Sequence, residues 1–478
     1  MAFNDCNHGA CFVPPHPELL KKFISEQPEG AERRVQSTLE PRVDKPLGLD
    51  DGTLHPPERF AANVPKRIIT SEAQREPALR GQINLMVVLV DFADKRMPSD
   101  RKGYFRDLFF STDRKVKTGS VTEYFTEVSG GKITMAGDIL GPFTLPKNLT
   151  TYANGANGTS SSEPNSRTMA GDAVDAIAKA GIDVSKFDNK IGGRQPGYVD
   201  AFILVHAGRG AEETGNKNDL WSVKWVLNRE RKIGNTKISA FLTVPEDAKL
   251  GVCAHEIGHL IFGWPDLYDI SYKTGGVGNW CLMSGGSWGA KPGEAAGTTP
   301  CHPSAWCKAQ QGWADVVVQK KNGKIVVDEV KNTALNTTSV ERYGDIHKLW
   351  SNGDQTSREY FLIENRNKTG FDASLPGAGL LIWHIDDTID GNSNMARPQV
   401  GLENANDGTP ATTADDLIGV PDSVFPGRFN KRSFGARTNP NSNSHAGRAT
   451  YVSVANISDP DQIMSMDVTV EPPVLARL

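Results

Sequence analysis

The sequence predicts an α+β protein: a domain of mixed strands and helices, followed by a β-sandwich-like domain. Three observations carry this prediction. A continuous apolar, β-branched run at residues 83–90 marks a strand buried on both faces, and strand and helix patterns alternate after it. A single helix bearing two histidines and a glutamate then closes that part of the chain. Beyond about residue 318 the pattern changes to short alternating runs between Gly, Pro, Asn and Asp clusters, with almost nothing that reads as helix. The chain divides accordingly into an extension at 1–78, a candidate prosegment, a catalytic domain at 79–318 and a β-rich domain at 319–478.

Residues 13–78 are rich in proline and charge, with weak helical patterning at 19–24 and 31–39. After the first strand, a short helix is expected at 104–110. Ser120 and Glu123 form a capping box for a second helix that stops at Gly130 and Gly131. Residues 132–135 alternate like a strand, and the Asn-, Gly-, Ser- and Thr-rich stretch 147–164 reads as an exposed loop. A helix at 166–180 ends at Gly181, and strands follow at 199–206 and 237–244.

The stretch from His255 to Asp269, HEIGHLIFGWPDLYD, holds the chemistry. In HExxH on a helix, His255 and His259 share one face and can reach one metal ion. Glu256 projects beside them as a base for water, the layout of a zinc-dependent hydrolase. Pro245, Glu246 and Asp247 suit a first helical turn, and Gly263 with Pro265 ends the helix. Met283, in the glycine-rich turn 275–289, would form an apolar floor beneath the ligands. Catalytic zinc normally takes three protein ligands; Asp266, stiffened by Pro265, is the third candidate, with Asp269 and Cys281 behind it.

Composition excludes several function classes. The net charge of −4 offers no basic surface for nucleic acid, and no apolar run is long enough to span a membrane. The amino terminus lacks the pattern of a secretory signal, so location is left open by the residues. Six cysteines in 478 residues make no disulfide scaffold. Cys6 and Cys11 with His8 read either as a zinc-blocking element or, more commonly, as a local disulfide or free thiols. In the β-rich part, Asp386, Asp387, Asp390 and Asp407 offer oxygen donors for a structural calcium ion, although a solvated loop is the commoner outcome.

Motifs spread over residues 83–470 resemble the immune inhibitor A-type metallopeptidases, a metzincin-like group of mostly secreted microbial proteases. They are Leu89–Phe92 (LVDF), Gly119–Tyr124 (GSVTEY), Val205–Gly208 (VHAG) with Glu212, Trp221 with Ser222, the HEIGH helix with Pro265–Asp269, and Leu282–Trp288 (LMSGGSW). Glu359–Arg366 (EYFLIENR), Leu380–Asp386 (LLIWHID) and Phe425–Gly427 (FPG) follow. The resemblance implies a zinc endopeptidase acting on protein or peptide substrates, and it favours an extracellular location. One departure matters. The family's glycine and aspartate lie three and six residues beyond the second histidine, whereas here Gly263 and Asp266 lie one residue later. Pro265 stands at the family's ligand position and cannot bind metal, so Asp266 inherits the role and Asp269 is the reserve. The family's acidic, calcium-like loop is also degraded, at Asp183–Asp188. The expected ligand set is therefore His255, His259 and Asp266, with Glu256 as general base. The alternative is a catalytically silent binding or adhesion module that retains a structural zinc; an intact Glu256 argues against it.

Overall fold

The structure is a computed structural model that describes residues 10–25, 49–50, 54–55, 78–189, 196–269, 275–328, 345–389, 391–392, 394–406 and 423–472. Helices and sheets are both present, in keeping with the α+β expectation. The central sheet has six strands in the spatial order Cys11–Phe12, Val223–Ile233, Thr236–Pro245, Phe202–His206, Gly81–Asp91 and Ile133–Thr144. Its last four strands are mutually parallel, and Val223–Ile233 runs antiparallel to them at the rim. Gly81–Asp91 is buried continuously from Leu85 onward, as a parallel strand covered on both faces requires.

Most local signals give the elements expected of them. Ser120 Oγ accepts the Glu123 N–H at 3.1 Å while Glu123 Oε2 accepts the Ser120 N–H at 2.9 Å, so the capping box opens the helix Val121–Val128. Other signals misled. The HExxH helix spans Leu250–Phe262, not a start at Pro245, because Pro245 completes the preceding strand. The polar stretch 147–164 is not an exposed loop: it contains the helix Leu149–Ala153, and Asn157 and Thr159 are buried. The Asn157 amide donates to the Asn216 and Asp219 carbonyls, so its polar groups serve a facing loop instead of water. The rim strand Val223–Ile233 is missing from the sequence reading, since its second half is strongly charged.

Every residue of the HExxH helix is buried. Two glycines let it lie against the turn that follows. A Cβ on Gly251 would sit 1.8 Å from the Ser287 carbonyl oxygen, and one on Gly258 would sit 2.6 Å from Met283 Sδ. Met283 therefore packs directly beneath the turn of helix that carries both histidines.

Beyond the catalytic region lie a five-stranded sheet, with Asp315–Val318 as its parallel edge strand, and a three-stranded sheet of Gly323–Asp328, Ile463–Thr469 and Ser453–Ala455. Alternation along Glu359–Arg366 and Gly379–Asp386 splits the larger sheet's side chains between two cores. Phe361, Ile363, Leu380 and Ile382 pack with Met464, Met466 and Val468 of the smaller sheet. Leu362, Leu381, Trp383 and Ile385 join the core of the catalytic region.

Glu364 and Arg366 lie on that second face. Glu364 pairs with Lys308 at 2.7 Å, and Arg366 pairs with Glu364 at 3.2 Å and with Asp372 at 2.6 Å. Two cations and two anions cancel inside the protein, and Trp383 Nε1 adds a donor to Glu364 at 3.0 Å. Breaking such a buried set by removing one partner costs about 3–5 kcal/mol, so it joins the β-rich region firmly to the catalytic one.

The glycine contacts make a direct prediction. Gly251→Ala should lose stability at the upper end of the ~1–3 kcal/mol typical of overpacking, because a backbone carbonyl blocks the new methyl group. Gly103→Ala, in the helix Arg101–Phe110 with nothing near its would-be Cβ, should be neutral or stabilising by up to ~1 kcal/mol. Urea unfolding of both variants measures the difference.

Candidate metal centre and cleft

The helix places His255 and His259 one turn apart, with their ring planes 83° to each other. Backbone carbonyls set both tautomers. His255 Nδ1 donates to the Leu282 carbonyl at 2.9 Å, and His259 Nδ1 donates to the Trp264 carbonyl at 2.5 Å. Each Nε2 is then left with a lone pair. The two Nε2 atoms lie 3.0 Å apart, and Asp266 Oδ1 lies 3.2 Å from one and 3.1 Å from the other. Tetrahedral ligands at zinc bond lengths are separated by about 3.3 Å, so the triangle has the right size.

Asp266 reaches the triangle despite the shifted spacing because the helix is closed tightly. Gly263 adopts the left-handed conformation at φ 64°, and the Trp264 N–H bonds back to the Gly258 carbonyl at 3.2 Å. The return loop starts from Trp264. The Leu267 N–H then bonds to the Met283 carbonyl at 2.8 Å, which ties the loop carrying Asp266 to the methionine turn. Asp269 is buried nearby, but its carboxylate is not in the donor triangle. Cys281 accepts the Met283 and Ser304 N–H groups in the same turn and is likewise outside the triangle.

Burial and charge shape the site. Burial pushes the His255 pKa down, which favours the neutral ligand form. Burial opposes ionisation of Asp266, but His259 and His255 outweigh it and hold the carboxylate below its ordinary value. Glu256 is driven well above the usual range by burial first, then by the Asp266 and Glu212 charges; the Val13 and Lys224 amides beside it pull the other way. Both Glu256 oxygens are nonetheless buried without a hydrogen-bond partner among the described residues. Glu212, pushed up to about 7 by burial, holds Ser222 at the head of the rim strand through bonds of 2.5 and 3.1 Å.

The donor set fits a divalent metal. Two lone pairs and a carboxylate oxygen converge within hydrogen-bond distance with no proton assigned between the nitrogens, an arrangement that a cation relieves.

A segment absent from the expected site fills the cleft. Cys11–Phe12 pairs antiparallel with the rim strand, Cys11 opposite Lys224 and Phe12 opposite Val223. The Phe12 carbonyl oxygen lies 3.2 Å from His255 Nε2 and accepts the Tyr268 hydroxyl at 3.1 Å. Trp221 and Trp288 donate their indole N–H groups to the Val13 and Pro14 carbonyls at 3.0 and 2.8 Å. Cys11 also lies near His259 and Asp266, but its sulfur is in a disulfide and has no thiolate to offer. Cys6 and His8 lie outside the described residues. The one signal for this strand in the sequence is the short apolar run at 11–13 within a polar extension.

The calcium expectation fares less well. Asp386 is engaged by Arg397 and by the Thr388 N–H, and Asp387 by Trp306 and Tyr360, so these two do not form an open oxygen cage. Asp390 and Asp407 lie outside the described residues.

Comparison with known proteins finds similarity to metallopeptidases. Residues 84–314 match the family described as immune inhibitor A peptidase M6, catalytic domain. Immune inhibitor A of Bacillus thuringiensis subsp. alesti is 32% identical over 282 residues, covering 49% of this chain and 40% of that protein. The pre-pro-metalloprotease PrtV of Vibrio cholerae serotype O1 (strain M66-2) is 29% identical over 272 residues, covering 47% of this chain and 29% of that protein. The chain thus spans well under half the length of either relative. Over residues 84–314, it is similar to the immune inhibitor A peptidase M6 family.

Proposed function

We propose that this chain is a zinc-dependent endopeptidase with a metzincin-like catalytic domain, acting on extended protein or peptide chains outside the cell. The observation that carries the reading is the triangle of His255, His259 and Asp266 beside a buried carboxylate, Glu256, that has no partner among the described residues. The disulfide at Cys11 supports an oxidising compartment. A β-sandwich-like domain from about residue 319 backs the methionine turn.

The two histidines and Asp266 would hold the ion. When bound, zinc supplies Lewis-acid polarisation of the substrate carbonyl and eases deprotonation of the attacking water. The rim strand Val223–Ile233 binds the substrate backbone as an added antiparallel strand. Glu256, raised by burial, takes the water's proton as oxygen attacks the carbonyl carbon, and delivers it to the departing amine nitrogen. A silent module with structural zinc would not need this base. Glu256→Gln should therefore keep one metal per chain and lower turnover by about 100- to 10,000-fold. Metal analysis together with a quenched-peptide assay checks both halves, and near wild-type turnover would sink the mechanism.

The assignment of Asp266 has its own test. Zinc titration of Asp266→Ala should show a far larger loss of affinity than Asp269→Ala, and the reverse order transfers the role to Asp269.

The same reading makes the extension a prosegment that covers the site. Its strand occupies the substrate's place on the rim, with the Phe12 carbonyl beside the ligand triangle and the Val13 amide facing Glu256. Val13→Pro removes that amide N–H and sets a ring against Glu256. In the full chain it should raise peptide turnover by about tenfold or more, the factor that about 1.4 kcal/mol of lost strand affinity gives. Unchanged turnover with the fold intact would reduce the segment to a structural wrap.

A further inference from the structure

We infer that Tyr268 is a catalytic residue whose hydroxyl donates a hydrogen bond to the substrate's scissile carbonyl and stabilises the negative charge that develops on its oxygen. The inference rests on the endopeptidase reading and adds to it a residue outside the ligand and base set.

The segment in the cleft shows how a peptide sits there. Cys11 and Phe12 lie antiparallel on the rim strand in extended form. At the Phe12–Val13 peptide bond the carbonyl oxygen is beside His255 Nε2 at 3.2 Å, while the amide nitrogen faces Glu256. Those are the two ends of a bond about to be cleaved: an oxygen beside the metal ligands and a nitrogen beside the proton carrier. The third group at this bond is Tyr268, whose hydroxyl reaches the same oxygen at 3.1 Å.

The backbone that carries Tyr268 is tied down independently of the peptide. Tyr268 follows Leu267, whose N–H bonds to the Met283 carbonyl at 2.8 Å and whose carbonyl accepts the Val277 N–H at 3.2 Å. With the segment in the cleft, Tyr268 is buried, 6% exposed. A donor fixed in a water-poor site and aimed at a carbonyl oxygen strengthens as that oxygen gains charge. No bond to Tyr268 forms. Water oxygen adds to the carbonyl carbon, the carbon–nitrogen bond breaks, the proton held by Glu256 goes to nitrogen, and the charge on oxygen returns to a carbonyl.

The test uses the full chain carrying Val13→Pro, which frees the cleft, with and without Tyr268→Phe. The double variant should lose about 100- to 1,000-fold in kcat, the effect of removing one oxyanion donor, with KM changed by less than about threefold. Affinity for a phosphinic peptide, which mimics the tetrahedral state, should fall by a similar factor, while affinity for the cleaved product peptides stays level. Metal content should remain one per chain. Retention of kcat within about threefold, or loss of metal together with activity, overturns the role of Tyr268. A Val13→Pro chain that binds zinc but cleaves no peptide overturns the endopeptidase reading itself, and the inference falls with it.

Discussion

Much of the catalytic region depends on two imidazoles being held neutral with their lone pairs converging. Two backbone carbonyls, those of Leu282 and Trp264, take the Nδ1 protons and leave the Nε2 lone pairs 3.0 Å apart. Left alone, that convergence is repulsive, and the buried carboxylate of Asp266 alongside adds negative charge. The fold bears the cost because the carbonyls sit in segments fixed for other reasons. Leu282 is in the methionine turn, against which the helix lies through its glycines, and Trp264 follows the left-handed glycine that ends the helix. The methionine turn thus has two tasks: Met283 supplies apolar packing below the histidines, and its neighbour supplies the acceptor that orients one of them.

The candidate constellation of His255, Glu256, His259 and Asp266 was legible in the sequence as a set of neighbours because its spacing is local. HExxH needs only one helical turn, and Asp266 follows within the next few residues. What local spacing does not carry is how the added residue before Asp266 is absorbed, which depends on where the left-handed glycine closes the helix. Nor does it carry the position of Pro245, which suits a helix start in isolation but is recruited by strand pairing with His206. The rim strand was missed for a related reason. Its outer half, around Arg229 to Lys232, is charged because the strand projects into solvent there, while its buried half, Val223 to Leu227, is only five residues long.

The polar stretch 147–164 and the amino-terminal strand show the opposite error, in which composition suggests solvent and packing decides otherwise. Asn157 is buried because its amide completes the backbone bonding of the facing loop, and such pairing partners are invisible to a window of residues. Phe12 and Val13 are buried because the rim strand pairs with Cys11–Phe12 and two indoles, Trp221 and Trp288, donate to the Val13 and Pro14 carbonyls, all from residues more than 200 positions away. An open strand edge in a sheet is a binding surface for any extended chain, its own or a substrate's.

That equivalence sets a physical limit on how the proposed prosegment can be held. A strand that pairs with the rim competes directly with substrate for the same backbone groups, so its affinity must come largely from contacts outside the shared ones. Trp221 and Trp288 bond to carbonyls at Val13 and Pro14, the helix Pro17–Ser25 packs Leu19 against the body, and the His16 N–H bonds to the Glu212 carbonyl at 2.8 Å. Glu212 is also the carboxylate that holds Ser222 at the head of the rim strand and adds to the charge felt by Glu256. The covering segment is therefore anchored through a residue that belongs to the cleft's own framework. On the prosegment reading, its removal would leave the rim strand, Glu212 and the triangle of His255, His259 and Asp266 in place, since their positions are set by helix, sheet and methionine turn, and would expose them to the next extended chain.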